Sequence, residues 1–120
     1  MVINPLYSGI AGIYTNAMRA AVSATNIANA NTYGYKAVRA TIEPSVVGLP
    51  EVKITERNRP NIILPSPEGL PEGEKFMQMS NVDLTEEFVQ MKIASYGYRA
   101  NASVIRAQDE MIGTILDIMI

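Results

Sequence analysis

A chain of 120 residues with 48% apolar and 18% charged side chains has the composition of one modest globular domain, neither disordered nor membrane-spanning. Its ten basic and twelve acidic residues leave a formal charge of -2 and are scattered along the chain, so no phosphate-neutralising stripe forms and nucleic acid is not an expected partner. The absence of histidine and cysteine removes the usual zinc ligands, thiol nucleophiles, disulfides and the ordinary general base at neutral pH.

The opening stretch MVINPLYSGIAGIYTNAMRA has neither a basic n-region nor a sustained apolar h-region, so no cleaved secretory signal is expected. No run reaches the roughly 18 to 20 apolar residues of a transmembrane helix. From Leu6, apolar residues recur in steps of four and three: Leu6, Ile10, Ile13, Ala17, Ala20, Ala24 and Ile27. That spacing predicts a helix with one packing seam, Asn4 as its N-cap and Pro5 in its first turn. Alanine fills the middle of the seam, so neighbouring backbones can approach closely while each contact buries little area. The run Asn29-Ala30-Asn31-Thr32-Tyr33-Gly34 supplies the residues that accept a left-handed helix end. Asn26, Asn29 and Asn31 read either as end-of-helix and turn residues bonded to nearby backbone, or as parts of a family signature.

Between Lys36 and Met79 the helical spacing stops, and six of the seven prolines fall there. Short extended segments are expected at 37–43 and 51–57, where Val52 and Ile54 alternate with Lys53 and Thr55, with weaker candidates at 62–64 and 75–79. The acidic, turn-rich tract 65–74 reads as a loop. From Ser80 the four-three spacing returns through Leu84, Phe88, Met91, Ser95, Tyr98, Ala102, Ile105, Asp109, Ile112, Leu116 and Met119. Asp83 is the expected N-cap, with Glu86 completing a box-like pair and with Glu86 and Glu87 favoured by the helix dipole. A single helix of about 35 residues, roughly 50 Å long, follows. Gly97 opposes it by only about 1 kcal/mol relative to alanine.

The expected architecture is mainly α: two long N- and C-terminal helices in an antiparallel, coiled-coil-like pair, with an irregular, partly β, proline-rich insert. Residues 1–36 carry the first helix and its closing turn, 37–79 the insert and 80–120 the second helix, together one unit. Chemistry is sparse. Adjacent acidic residues such as Glu86-Glu87 and Asp109-Glu110 point about 100° apart on a helix and read as solvated face. Arg19 with Arg99 or Arg106 lacks a glycine-rich phosphate cradle. The Tyr33/Tyr35 and Tyr96/Tyr98 pairs read as packing contacts rather than a stacking platform, and Met91, Met111 and Met119 as packing residues. No catalytic, cofactor-binding or metal-binding residue and no small-molecule substrate is expected. Val89, Ile93, Val104, Met111, Ile115 and Ile118 widen the apolar arc beyond one seam, so further helical neighbours are required. Ordering the helices costs about 1 to 2 kcal/mol per residue, so the free chain is expected to be partly disordered and to order on assembly.

The run Ala24-Thr25-Asn26-Ile27-Ala28-Asn29-Ala30-Asn31-Thr32-Tyr33-Gly34-Tyr35-Lys36, after Ser8-Gly9-Ile10, resembles the N-terminal signature of bacterial flagellar basal-body rod and hook proteins. Asn26, Ile27, Asn29, Asn31, Thr32, Gly34 and Lys36 carry that likeness. The stretch Ser80-Asn81-Val82-Asp83-Leu84-Thr85-Glu86-Glu87, with Tyr98 and Asn101 in Tyr98-Arg99-Ala100-Asn101-Ala102-Ser103-Val104-Ile105 and then Asp109-Glu110-Met111, is similar to the other end of the same family. The resemblance implies a structural subunit whose end helices line a helical tube, packed against copies and other axial proteins. It also implies delivery to the periplasmic rod by the flagellar type III export apparatus without a cleaved signal. Length resembles the short proximal-rod (FlgC-like) members, whereas Leu6-Tyr7-Ser8-Gly9 and the SNVDLTEE wording resemble distal rod and hook members. Tyr96 and Gly97 depart from the Arg-Ala type usual there, and Gly97 allows a bend or a close contact. A generic helical component of a type III secretion system, a chaperone or needle-like protein, is the competing reading; it explains the seams but not both motifs.

Overall fold

The computed structural model of the chain describes residues 5–45, 50–65 and 76–119. Helix α1 spans Pro5–Ala28 and helix α2 spans Leu84–Met119; between them lie strands β1 (Val38–Pro44), β2 (Pro50–Glu56), β3 (Ile63–Pro65) and β4 (Phe76–Gln78). The molecule is mainly helical, with antiparallel strands in its middle, in an envelope of 81 × 26 × 18 Å. Among the described residues no helix is long and apolar enough to cross a membrane. The expected N-cap Asn4, the tract 66–74 and the terminal Ile120 lie outside the described residues.

The local signals act as their chemistry dictates. Asp83 Oδ1 accepts the backbone N–H groups of Thr85 at 3.0 Å and Glu86 at 3.2 Å, satisfying two of the donors a helix start leaves open. Glu86, however, does not complete a box: its carboxylate is taken by arginines of the insert. Helix α1 stops at Ala28, the chain turns through Thr32 N–H on Asn29 O at 3.0 Å, and Gly34 adopts φ 71°. That left-handed conformation is where a side chain is costly.

Strands β1 and β2 form an antiparallel hairpin in the register Val38↔Glu56, Thr41↔Lys53 and Pro44↔Pro50. Strands β3 and β4 pair Ile63↔Gln78 and Pro65↔Phe76. The expected extended segments therefore form within a residue or two. Their burial is thinner than a half-buried strand implies, since Ile42 and Ile54 remain about half exposed.

The helices run antiparallel side by side. Gly9 lies against Ile105, Gly12 against Asn101 and Gly97 against Asn16, while Arg19 Nη2 donates to Gln90 Oε1 at 3.2 Å. The contact face is therefore Gly9, Gly12, Asn16, Arg19, Ser23 and Asn26 on α1, meeting Glu87, Gln90, Ala94, Gly97 and Asn101 on α2. Each position stands one residue before a position of the apolar seam read from the sequence. The expectation that the apolar stripe joins the two helices within the chain is thus corrected by about 100° of helix rotation. Small and polar residues win the inner face because they let the backbones approach while their amides bond locally: Asn16 and Asn101 each donate to the carbonyl four residues back, at 2.8 Å.

Candidate assembly surface and its polar clamp

Three asparagines tie the helix ends to the insert. Asn26, fully buried, uses its amide as a strand partner: Nδ2 donates to Val38 O at 2.8 Å, and Oδ1 accepts Val38 N–H at 3.0 Å and the Tyr35 hydroxyl at 3.0 Å. Asn81 Oδ1 accepts the N–H of fully buried Ala37 at 2.6 Å, and its Nδ2 donates to Arg59 O at 2.8 Å. Asn61 Nδ2 donates to Met79 O at 2.8 Å. Backbone bonds close the same junction, with Gly34 N–H on Gln78 O at 2.8 Å and Arg57 N–H on Ala37 O at 2.8 Å. The end of α1, the start of β1, the exit of β2 and the start of α2 are thereby held at one point.

A charged clasp lies beside it. Arg57 Nη1 is 2.8 Å from Glu86 Oε2, and Arg57 Nη2 is 3.0 Å from Glu87 Oε1. The second contact is an ion pair outside hydrogen-bond alignment, and Arg57 Nε is buried without an acceptor. Arg59 adds 3.2 Å to Glu86 Oε2 and 3.8 Å to Asp83 Oδ2. The sequence reading placed Glu86 and Glu87 on a solvated face. Glu87 is only 1% exposed, and the two carboxylates converge because the planar guanidinium of Arg57, just after β2, bridges the 100° between them. Tyr35 has its pKa raised, first by burial and second by the nearby Glu87 carboxylate. A cleft of about 310 Å³ beside the clasp is lined by Arg19, Ser23, Arg39, Arg57, Glu87 and Gln90, none of which is a nucleophile set against a base.

The predicted motif residues divide. Asn26, Asn81, Asp83 and Gly34 perform the bonding and turning just described. Asn29 donates to Thr25 O at 2.9 Å and accepts the Thr32 hydroxyl at 3.1 Å, as a helix-end residue does. Asn31, Thr32 and Lys36 are exposed, Ile27 and Val82 are half-buried, Tyr98 is 44% exposed and Asn101 sits on the inner face. Residues missed by the sequence reading are Arg57, Asn61 and the inner-face Gly12 and Asn16; nothing in local spacing signals them, because the groups they meet stand far along the chain.

The apolar seam positions occupy a different surface. Because the helices are antiparallel, the same one-residue step turns both stripes toward the same side of the pair. Leu6, Ile10, Ile13, Ala17, Ala20 and Ala24 thus lie beside Leu84, Phe88, Met91, Ala102 and Ile105 on one broad face. Ile10 is 51% and Phe88 58% exposed there. The β1–β2 hairpin packs on the opposite side, against Val22. Farther along α2, Ile112 and Leu116 are exposed, with Met111, Ile115, Ile118 and Met119 around them.

Residues 74–118 match the family described as flagellar basal body rod FlgEFG protein C-terminal. The chain is 40% identical over 43 residues to the flagellar basal-body rod protein FlgG of Bacillus subtilis, covering 36% of this chain and 16% of that protein. It is 43% identical over 42 residues to the flagellar hook protein FlgE of Treponema pallidum, covering 35% and 9%. Against the FlgE hook protein of Escherichia coli it is 38% identical over 42 residues, covering 35% and 10%. The matched stretches span about a sixth or less of these relatives' lengths. Through residues 74–118 the chain is similar to the C-terminal region of flagellar basal-body rod and hook proteins, a structural family.

Proposed function

We propose that the chain is a structural subunit of the flagellar basal-body rod, in which paired helices pack against copies and other axial proteins to build a helical tube. The tube transmits torque and conducts exported subunits, and the subunit reaches the periplasmic rod through the type III export apparatus. The helices form a coiled-coil-like pair within each subunit.

One observation carries this reading: an apolar face two helices wide, left bare by the described residues of the insert, in a chain whose residues 74–118 match the rod and hook family. With 24 residues in α1, that face is about 36 Å long and about 20 Å wide, or roughly 700 Å² per copy. Two copies would bury about 1,400 Å², within the range of specific interfaces and small enough that several neighbours reinforce one another. Negative-stain electron microscopy of concentrated protein tests the proposal. Rods or tubes of uniform width are expected, and discrete monomers at every concentration would refute it.

A further inference from the structure

The contact between α1 and α2 contains a reciprocal feature. Asn16 donates to Gly12 O on its own helix at 2.8 Å, and its side chain fills the notch left by Gly97 on the other helix. Asn101 donates to Gly97 O on its own helix at 2.8 Å, and its side chain fills the notch left by Gly12. The two Gly-x-x-x-Asn segments are related by a local two-fold axis across the pair. A Cβ placed at Gly97 would lie 2.5 Å from Asn16 Oδ1, so a side chain there displaces the Asn16 amide from its place.

We infer that these four residues are a register-determining lock which selects how α1 pairs with α2 and reserves the polar face for that pairing. Apolar residues are interchangeable between registers and partners, whereas a half-buried asparagine that fills a glycine notch is accommodated in few of them. Sliding α2 by seven residues one way sets Asn16 against Val104 and Asn101 against Arg19. Sliding it the other way sets Asn16 against Gln90 and Asn101 against Pro5. Neither shift offers a notch to either asparagine, and each would press an amide against a side chain. The lock also discriminates against pairing through the apolar stripes, because that rotation would expose the glycine notches to solvent and leave the amides no cavity to fill. The inference concerns pairing within one chain and stands independently of the proposed assembly.

The test uses the absence of cysteine from the chain. Gly9→Cys with Ile105→Cys reports the native register, since a Cβ at Gly9 lies 2.7 Å from Ile105 Cγ1. Gly9→Cys with Tyr98→Cys or with Ile112→Cys reports the two seven-residue shifts. Each pair is oxidised with copper-phenanthroline in air, and intrachain disulfide is scored by gel mobility and peptide mass. Gly97→Asn alone should reduce the native-register product by about tenfold or more, the equivalent of roughly 1.4 kcal/mol. Asn16→Gly combined with Gly97→Asn exchanges knob and notch, and should restore the product to within about twofold of the parent, which simple misfolding would not do. Native-register cross-linking by Gly97→Asn at the parent rate would overturn the inference. So would a double variant no better than Gly97→Asn alone.

Discussion

Replacing Asn26 with alanine removes three hydrogen bonds from a fully buried amide: to Val38 O, from Val38 N–H and from the Tyr35 hydroxyl. Alanine is a good helix former, so α1 itself loses nothing. The cost falls on Val38, whose N–H and C=O face α1 with no second partner in the hairpin on that side, and on the phenol. Net worth per bond is about 0.5 to 1.5 kcal/mol, and a stranded buried group costs about 1 to 3 kcal/mol. Val38 and Tyr35 are half-buried, so water recovers part of the loss, leaving an expected destabilisation of about 3 kcal/mol. Urea denaturation followed by circular dichroism, at one fixed protein concentration, measures it. Tyr35→Phe should cost about 1 kcal/mol, and in the double variant the two losses should add to less than their sum because they share a bond. An Asn26→Ala loss under about 0.5 kcal/mol would show that the side chain does not anchor the hairpin and would refute the clamp.

Glu87→Ala takes one of two carboxylates from a nearly buried guanidinium that Glu86 still pairs and should cost about 2 to 3 kcal/mol, whereas Glu86→Ala, at a partly exposed site, should cost about 1 kcal/mol; equal losses in urea denaturation would contradict the assigned burial. Gly34→Ala has open space for its Cβ but must hold φ 71°, so it should lose about 1 kcal/mol, with Gly34→Asn losing less in the same assay. Tyr35 has a pKa raised above 10.0 in the folded chain, so the neutral phenol is favoured by folding; this stability is present below pH 10 and is lost as pH rises through the folded value. Alkaline titration of the tyrosinate absorbance band should show a late-ionising component that Tyr35→Phe removes, and identical curves would count against the burial of Tyr35 beside Glu87.

Both helices, the hairpin segments, the Asp83 cap and the Gly34 turn were legible because each depends on chemistry within a few residues. Apolar periodicity also located a genuine stripe on each helix. It does not say which neighbour covers that stripe, and here glycine and asparagine, residues that weaken a helix considered alone, make the contact within the chain. Asn26 looked like a turn residue because its partner, Val38, lies twelve positions on and only the folded hairpin brings it near. Glu87 looked solvated because its burial depends on Arg57, thirty positions earlier and just past the end of β2. Ile105 read as a seam residue open to partners, yet it closes over Gly9, so charge there would disturb the helix pair itself and Phe88 and Ile10 are the cleaner probes of the outer face.

Sedimentation velocity across a concentration series tests that outer face most directly. The parent and Asn58→Glu, a change on the exposed loop after β2, should form growing assemblies as concentration rises. Phe88→Glu and Ile10→Glu should keep the parent's circular dichroism and urea midpoint but remain monomeric at the same concentrations. If both face variants assemble as the parent does, the apolar face is not the surface through which copies meet.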